Sequence, residues 1–277
     1  MKTQTKPVVL ITGASSGMGK DFALRLLSEG YIVYGAARRI ERMQEIEAAG
    51  GIALAMDVTE DDTMVAAVER IMREQGRIDV LVNSAGYGQM GALEDVPVDA
   101  ARRQIEVNLI GLARLTQLCL PHMRAKKFGK IINISSIGGK CAFPLAGWYH
   151  ASKFALEGYS DALRMEVRPF GIDVIVIEPG GTESEWFPVA IAELERYSAQ
   201  GAYARLVQAM QHSPSWKRKM PPAAVITNLL IKALKAKTPR TRYHGASGSG
   251  VILFLRYILP DRLYDRLIMS QFRQRSV

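Results

Sequence analysis

Short, unbroken apolar runs recur through the first two thirds of the chain, each followed by a stretch of helical periodicity. Runs without polar alternation suit parallel strands that are covered on both faces. They predict strands at 8–11, 31–36, 52–56, 78–83, 130–134 and 172–177. Apolar residues three and four apart predict helices at 17–29, 39–49, 59–75 and 98–124, and from Tyr149 to about 168. In the first helix Phe22, Leu26 and Leu27 form the apolar stripe, and Gly30 suits the C-terminal cap. Thr59 with Asp62 suits an N-terminal cap for the third. Strands alternating with helices imply an α/β chain with a doubly wound parallel sheet and right-handed crossovers. From 181 to about 222 the pattern becomes irregular, with a helix expected at 190–211. A helix at 223–237 and an edge strand at 241–244 follow, then a tail that is glycine and serine first, apolar and basic afterwards.

With 277 residues the chain suits one large domain with a substantial core. Its net charge of +9 is unevenly placed. Residues 212–277 carry 13 Lys/Arg against 2 Asp/Glu, a balance of +11, and the remainder is close to neutral. The tail lacks the interleaved aromatic and basic platform of a nucleic-acid surface, so no nucleic acid is expected as a partner. The first strand begins by Pro7, leaving no room for a signal peptide, and no apolar run approaches the roughly 20 residues of a membrane span. Cys119 and Cys141 read as reduced packing or surface residues of a cytoplasmic protein. His122, His212 and His244 show no metal spacing, and no metal is expected.

The candidate chemistry starts at Tyr149 and Lys153, which lie four apart on one helix face. A free phenol has a pKa of about 10, and a nearby ammonium favours its phenolate, moving it toward the working range. Thirteen residues upstream of Tyr149, the apolar run 131–134 ends in Ser135 and Ser136. Asn108 is a polar residue within an apolar helix, where a satisfied core amide is the alternative reading. Thr12-Gly13-Ala14-Ser15-Ser16-Gly17-Met18-Gly19 links the first strand to the first helix. Glycines there allow a sharp turn and let a pyrophosphate approach backbone N–H groups at a helix N-terminus.

This set, in this order, resembles the short-chain dehydrogenase/reductase family over about residues 7–185. The resemblance implies a Rossmann-type dinucleotide-binding and catalytic domain over 1–244, with a substrate lid at 182–222 and an extension at 245–277. It implies Tyr149 as proton donor or acceptor, Lys153 lowering its pKa and holding the nicotinamide ribose, and Ser136 polarising the reacting oxygen. Ser135 is the alternative to Ser136. Asn108 becomes the fourth catalytic member, holding a water that joins Lys153 to solvent. Gly13, Ser15, Ser16, Gly17, Met18 and Gly19 would hold the cofactor's phosphates.

Cofactor choice is read after the second strand. NAD-using relatives carry Asp where this chain has Ala37, and Arg38-Arg39 follow. A guanidinium fork suits a 2′-phosphate, so NADP(H) is preferred over NAD(H), with Arg38 the main contact and Arg39 the second candidate. Asp57 and Val58 resemble the family's adenine contact. Asn83-Ser84-Ala85-Gly86 resembles the Asn-Asn-Ala-Gly segment with Ser84 as a departure; Asn83, Ala85 and Gly86 would shape the crevice. Pro179, Gly180, Thr182 and Ser184 resemble the segment that contacts the nicotinamide carboxamide, with Thr182 and Ser184 departing from its Val and Thr. His150 is expected as pocket rim or packing.

Tyr87, Met90, Phe143, Pro144, Trp186 and Phe187 offer an apolar lid without an evident charged clamp. Ile177-Glu178-Pro179-Gly180 and Leu259-Pro260-Asp261-Arg262-Leu263 look like the 17β-hydroxysteroid dehydrogenase-like and retinol dehydrogenase-like branch. That implies an oxidoreductase interconverting a hydrophobic ketone or aldehyde and its alcohol, in a homodimer or homotetramer. A non-catalytic NADP(H)-binding regulator of the same fold is the alternative. Leu263, Tyr264, Leu267 and Ile268 recur at helical spacing after Pro260, which suits a first helical position. This tail is expected to pack on the lid or a second subunit, or to touch a membrane surface peripherally.

Overall fold

The computed structural model describes residues 6–213, 219–246 and 248–272. Its strands are β1 (Val8–Thr12), β2 (Ile32–Ala37), β3 (Ile52–Ala55), β4 (Val80–Asn83), β5 (Gly129–Ile134), β6 (Ile172–Pro179) and β7 (Arg242–Gly245). All pair in parallel, in the order β3-β2-β1-β4-β5-β6-β7. The helices are α1 (Gly17–Ser28), α2 (Gln44–Ala48), α3 (Asp61–Gln75), α4 (Val98–Ile105), α5 (Gly111–Lys126), α6 (Gly147–Val167), α7 (Trp186–Ser198), α8 (Ala204–His212), α9 (Ala224–Lys235), α10 (Ser249–Ile258) and α11 (Asp261–Ser270).

The unbroken apolar runs have a direct cause in the packing. Along β1, Val9 and Ile11 face a core that includes Phe22 and Leu26 of α1 with Ile226 and Leu230 of α9. Val8 and Leu10 face the opposite core, with Ile71 of α3, Leu115 of α5 and Leu163 of α6. Successive side chains alternate between faces, so two covered faces leave no place for polar residues. Polar exceptions are paired: the buried Lys130 ammonium donates to Leu234 O at 2.8 Å and Ala236 O at 3.0 Å, serving carbonyls at the end of α9. The strand order reverses between β1 and β4, and in such sheets ligands bind beyond the strands' carboxyl ends at that point.

Four local expectations need correction. The helix expected at 190–211 is two helices: α7 starts earlier, at Trp186, and a 3₁₀ turn at Gly201–Tyr203 separates it from α8. Gly201 has φ +81°, which no continuing helix tolerates. The helix expected at 39–49 is a 3₁₀ turn at Ile40–Met43 running into the short α2. The helix expected at 98–124 contains a π turn, Glu106–Ile110, which re-aims Asn108 inward. Thr59 does not cap α3. Its hydroxyl and backbone N–H both donate to Asp57 Oδ1, at 2.9 and 3.0 Å, and Glu60 stands at the cap.

The extension forms α10 and α11, with Pro260 at the cap position just before the second. Tyr264 and Ile268 of α11 are buried against Cys141, with Ile137 and Phe143 alongside. The polypeptide that follows Ser136 is therefore walled by the C-terminal helix. On α10 only Ser249 is buried, and Val251, Phe254 and Tyr257 are 65%, 59% and 87% exposed.

Candidate active site

At the switch point, Thr12 uses its hydroxyl to accept from the backbone N–H groups of Ser84 and Ala85, at 3.0 and 2.9 Å. That bond ties the end of β1 to the end of β4. The glycine loop then turns with Gly13 at φ +71°, and a Cβ there would meet the Ala85 backbone at 3.0 Å. A Cβ on Gly19 would stand 2.3 Å from Gly13 O, so α1 can approach the loop only with glycine at that position. These are the close approaches that a phosphate cradle requires, and they occur where α1 presents its N-terminus.

A crevice of about 570 Å³ opens over this loop. Gly13, Ser15, Ser16, Gly17, Met18 and Gly19 form its floor, Arg38, Arg39, Asp57 and Val58 one end, and Ala85 and Gly86 the inner wall. Arg38 is 65% exposed and stands 3.9 Å from Asp57 Oδ2. Arg39 reaches Ser16 Oγ at 3.4 Å. Ser184 also lines the crevice. Asn83 does not. It lies buried below, donating to Asn133 Oδ1 at 2.9 Å, while Asn133 donates to Ser160 Oγ at 2.9 Å. Pro179, Gly180 and Thr182 also lie outside the lining: Gly180 N–H bonds Gly245 O at 2.8 Å and Thr182 Oγ1 bonds Gly180 O at 3.0 Å.

The four candidate catalytic residues converge from three elements. Asn108, in the π turn, accepts from Tyr87 N–H at 3.2 Å and donates to Tyr87 O and Ser152 Oγ, both at 3.1 Å. A Cβ on Gly86 would lie 3.1 Å from Asn108 Oδ1 and 3.8 Å from Lys153 Nζ, which puts both side chains behind the crevice wall. Ser136, just beyond β5, accepts from Gly138 N–H at 3.0 Å, and its hydroxyl points to Pro179 O at 3.5 Å, near enough to Tyr149 to lower its pKa. Ser135 instead points its hydroxyl inward, buried and without a hydrogen-bond partner. Tyr149 and Lys153 project from α6, with Lys153 Nζ 6.0 Å from the Tyr149 ring centroid.

One electrostatic expectation is reversed. Burial pushes the Tyr149 hydroxyl up to about 12, and the nearby Ser136 hydroxyl counters it only in part. Lys153 is not what governs Tyr149 here: its ammonium donates to Ile134 O at 2.8 Å, and burial brings it down to about 8 against the pull of Glu157. His150 is packing: buried, it accepts from Phe143 N–H at Nε2, 3.2 Å away, and bonds Gly138 O through Nδ1 at 2.9 Å.

The expected lid residue Trp186 finds its place, and two further features were not foreseen. Trp186 covers Tyr149, with ring centroids 5.0 Å apart, and a Cβ on Gly88 would strike its indole at 2.2 Å. Glu185 bonds Arg42 through both oxygens, at 3.1 and 2.9 Å, and stands 3.5 Å from Arg39, so the start of the lid is clasped to the arginine end of the crevice. The outer crevice is also not purely apolar, since Arg103, Glu193 and Arg196 line it beside Tyr87 and Tyr197. Gly88 and Trp186 are 98 positions apart and Arg42 and Glu185 are 143 apart, and only the fold brings them together.

The short chain dehydrogenase pattern matches residues 7–193. The chain is 47% identical over 174 residues to a 3-ketodihydrosphingosine reductase of Bacteroides thetaiotaomicron, covering 62% of this chain and 63% of that protein. It is 31% identical to an NADPH-dependent 3-dehydrocapnine reductase of Ornithobacterium rhinotracheale, over 96% of this chain and 97% of the relative. With human 17-beta-hydroxysteroid dehydrogenase type 1 it shares 32% identity, over 86% of this chain and 77% of that protein. The glycine cradle, the parallel sheet and these relatives agree, and the chain belongs to the short-chain dehydrogenase/reductase family as an oxidoreductase with hydroxysteroid dehydrogenase-like relatives.

Proposed function

We propose that this oxidoreductase uses NADP(H) to interconvert a hydrophobic ketone or aldehyde and its alcohol, with 1–244 as the catalytic domain and 182–222 as its lid. The observation that carries the reading is the convergence of Ser136, Tyr149 and Lys153 beside a glycine-floored crevice with two arginines at one end. When bound, the nicotinamide supplies or takes up the hydride. N–H groups of the glycine loop would hold the dinucleotide's pyrophosphate, Arg38 would hold its 2′-phosphate, and Asp57 and Val58 would flank its adenine. Pro179, Gly180, Thr182 and Ser184 lie along the segment toward the carboxamide. Tyr149, protonated at neutral pH, gives its proton to the carbonyl oxygen, and the Ser136 hydroxyl donates to that oxygen as charge builds on it. The Lys153 ammonium would hold the nicotinamide ribose, and Asn108 the water through which the proton is replaced.

The names of two relatives, one acting on 3-ketodihydrosphingosine and one on 3-dehydrocapnine with NADPH, support a long hydrophobic carbonyl substrate and this cofactor. Incubating the protein with NADPH and hydrophobic ketones and aldehydes of graded chain length, read at the nicotinamide absorbance band, tests the reading. Tight NADPH binding without turnover of any of them would favour the non-catalytic regulator.

Pairing of the α4 and α6 faces into a dimer or tetramer is proposed on the family resemblance. Among the described residues no helix is long and apolar enough to cross a membrane. The exposed face of α10 is proposed as a reversible peripheral contact of a cytoplasmic protein with anionic lipid. Val251, Phe254 and Tyr257 present apolar area, and the C-terminal quarter of the sequence, to which α10 belongs, carries the chain's excess of Lys and Arg. Each such charge near an anionic surface is worth about 1 kcal/mol. Replacing Val251, Phe254 and Tyr257 together with Ser should abolish salt-sensitive co-sedimentation with anionic vesicles and leave Tm within a few degrees. No sedimentation of the starting protein at low salt, or its conversion from dimer to monomer by the triple change, would assign the face to packing between subunits.

A further inference from the structure

Behind the reaction centre lies a second group of titratable side chains that the mechanism above does not use. Glu157 follows Lys153 by one turn of α6 on the same face, and both are buried. Glu178, from the apolar end of β6, is buried beside it. A Cβ on Gly139 would lie 2.8 Å from Ser135 Oγ, 2.9 Å from Glu157 Cγ and 3.0 Å from Lys153 O, so these groups meet at one point. Ser135 Oγ, Glu157 Oε1 and Glu178 Oε1 are all buried without a hydrogen-bond partner. Three unsatisfied polar atoms in one place are costly unless a proton is shared there or water links them.

The surrounding charges explain why the two carboxyls differ. Glu157 Oε2 holds Lys140 Nζ at 3.1 Å and the Arg242 guanidinium at 3.0 Å. Arg242 is shared with Asp161, at 2.8 Å, and Arg164 also pairs with Asp161. Among the described residues Glu178 has one ion pair, with Arg242 Nε at 3.3 Å and without hydrogen-bond geometry, while Lys140 acts on it from farther away. On the neighbouring strand His244 lies opposite Glu178, and Cys141 lies near enough to feel its charge. Burial, then the negative charge of Glu157, push the Glu178 carboxyl up to about 7. Glu157 in turn is the charge that resists the fall of Lys153.

We propose that Glu157 and Glu178 form a buried acid pair that positions the charge of the reaction centre: Glu157 keeps Lys153 an ammonium, and Glu178 stores a proton so that the pair carries a single negative charge. This rests on the reductase reading for its catalytic consequence, but not for its titration. In ketone reduction, activity is expected to fall at high pH as Lys153 loses its proton. Glu157→Gln removes the carboxylate that raises the Lys153 pKa, so this alkaline limb should move to lower pH by about one unit, with kcat near pH 6 retained within a few-fold. Asp161→Asn weakens the same Arg242 one turn farther from Lys153, and should leave the limb in place.

The second arm needs no turnover. Glu178 keeps its proton up to about 7 when folded and about 4.5 is its ordinary value. The folded state therefore binds more protons between those values, and stability falls as pH rises across that window. Glu178→Gln, which cannot ionise, should flatten the decline of Tm between pH 5 and 8. Parallel Tm curves for the starting protein and Glu178→Gln would overturn the proton store. An unmoved limb in Glu157→Gln, or an equal shift in Asp161→Asn, would overturn its action on Lys153. Absence of any reductase activity alongside a flattened Tm curve would instead count against the reductase reading alone.

Discussion

Tyr149→Phe is expected to leave a folded, cofactor-binding protein whose turnover is lower by roughly 10²–10⁴-fold, the usual contribution of a positioned proton donor. The change removes one oxygen and keeps the ring that packs against Trp186. The neighbouring Ser136 hydroxyl keeps its bond from Gly138 N–H and its approach to Pro179 O, so no strongly stranded donor remains. Tm should therefore move by only a few degrees. The raised pKa sharpens the expectation: at neutral pH the residue is a phenol, able to donate. Steady-state kinetics on the folded variant check it. Near-normal turnover would remove Tyr149 from the chemistry.

Arg38→Ala is expected to erase most of the preference for NADPH over NADH. A hydrogen bond to a charged group is worth about 1.5–3 kcal/mol, which is roughly ten- to a hundredfold in affinity. Arg38 is the better candidate because its guanidinium is 65% exposed at the crevice and only distantly opposed by Asp57, at 3.9 Å. Arg39 is already engaged by Ser16 and faces Glu185, so Arg39→Ala should have the smaller effect. Removing Glu185 should go the other way, since a carboxylate at that end of the crevice repels a phosphate. Fluorescence titration with both nucleotides measures all three. Equal affinity of the starting protein for NADPH and NADH would contradict the assignment.

Local composition determined the framework. The apolar runs were legible as strands because a strand buried on both faces has no tolerance for polar side chains, as Val8 through Ile11 show by feeding two opposite cores. The glycine loop was legible because a steric requirement at Gly13 and Gly19 can be met by one residue type alone. The spacing of Ser136, Tyr149 and Lys153 reflected their placement at one strand end and on one helix face. The irregular lid was less legible: nothing in the 190–211 periodicity marked Gly201 as a break, and α7 gains its first turn from the packing of Trp186. Nor could a pattern of single positions show the π turn that brings Asn108 to Tyr87.

What the tertiary structure alone decided is electrostatic. A Tyr and a Lys four apart suggested a lowered phenol pKa, because charge was the visible feature of that pair. In the fold burial outweighs it, since both groups lose water while the ammonium is held by Ile134 O. Glu157 showed its spacing from Lys153 in the sequence, but its partnership with Glu178, Lys140 and Arg242 depends on α6, β6, β7 and the loop after Ser136 meeting behind the site. Periodicity records which side chains leave water. Which charges they then meet depends on contacts across 21 positions for Glu157 and Glu178 and 143 for Arg42 and Glu185, and these exist only once the sheet is assembled.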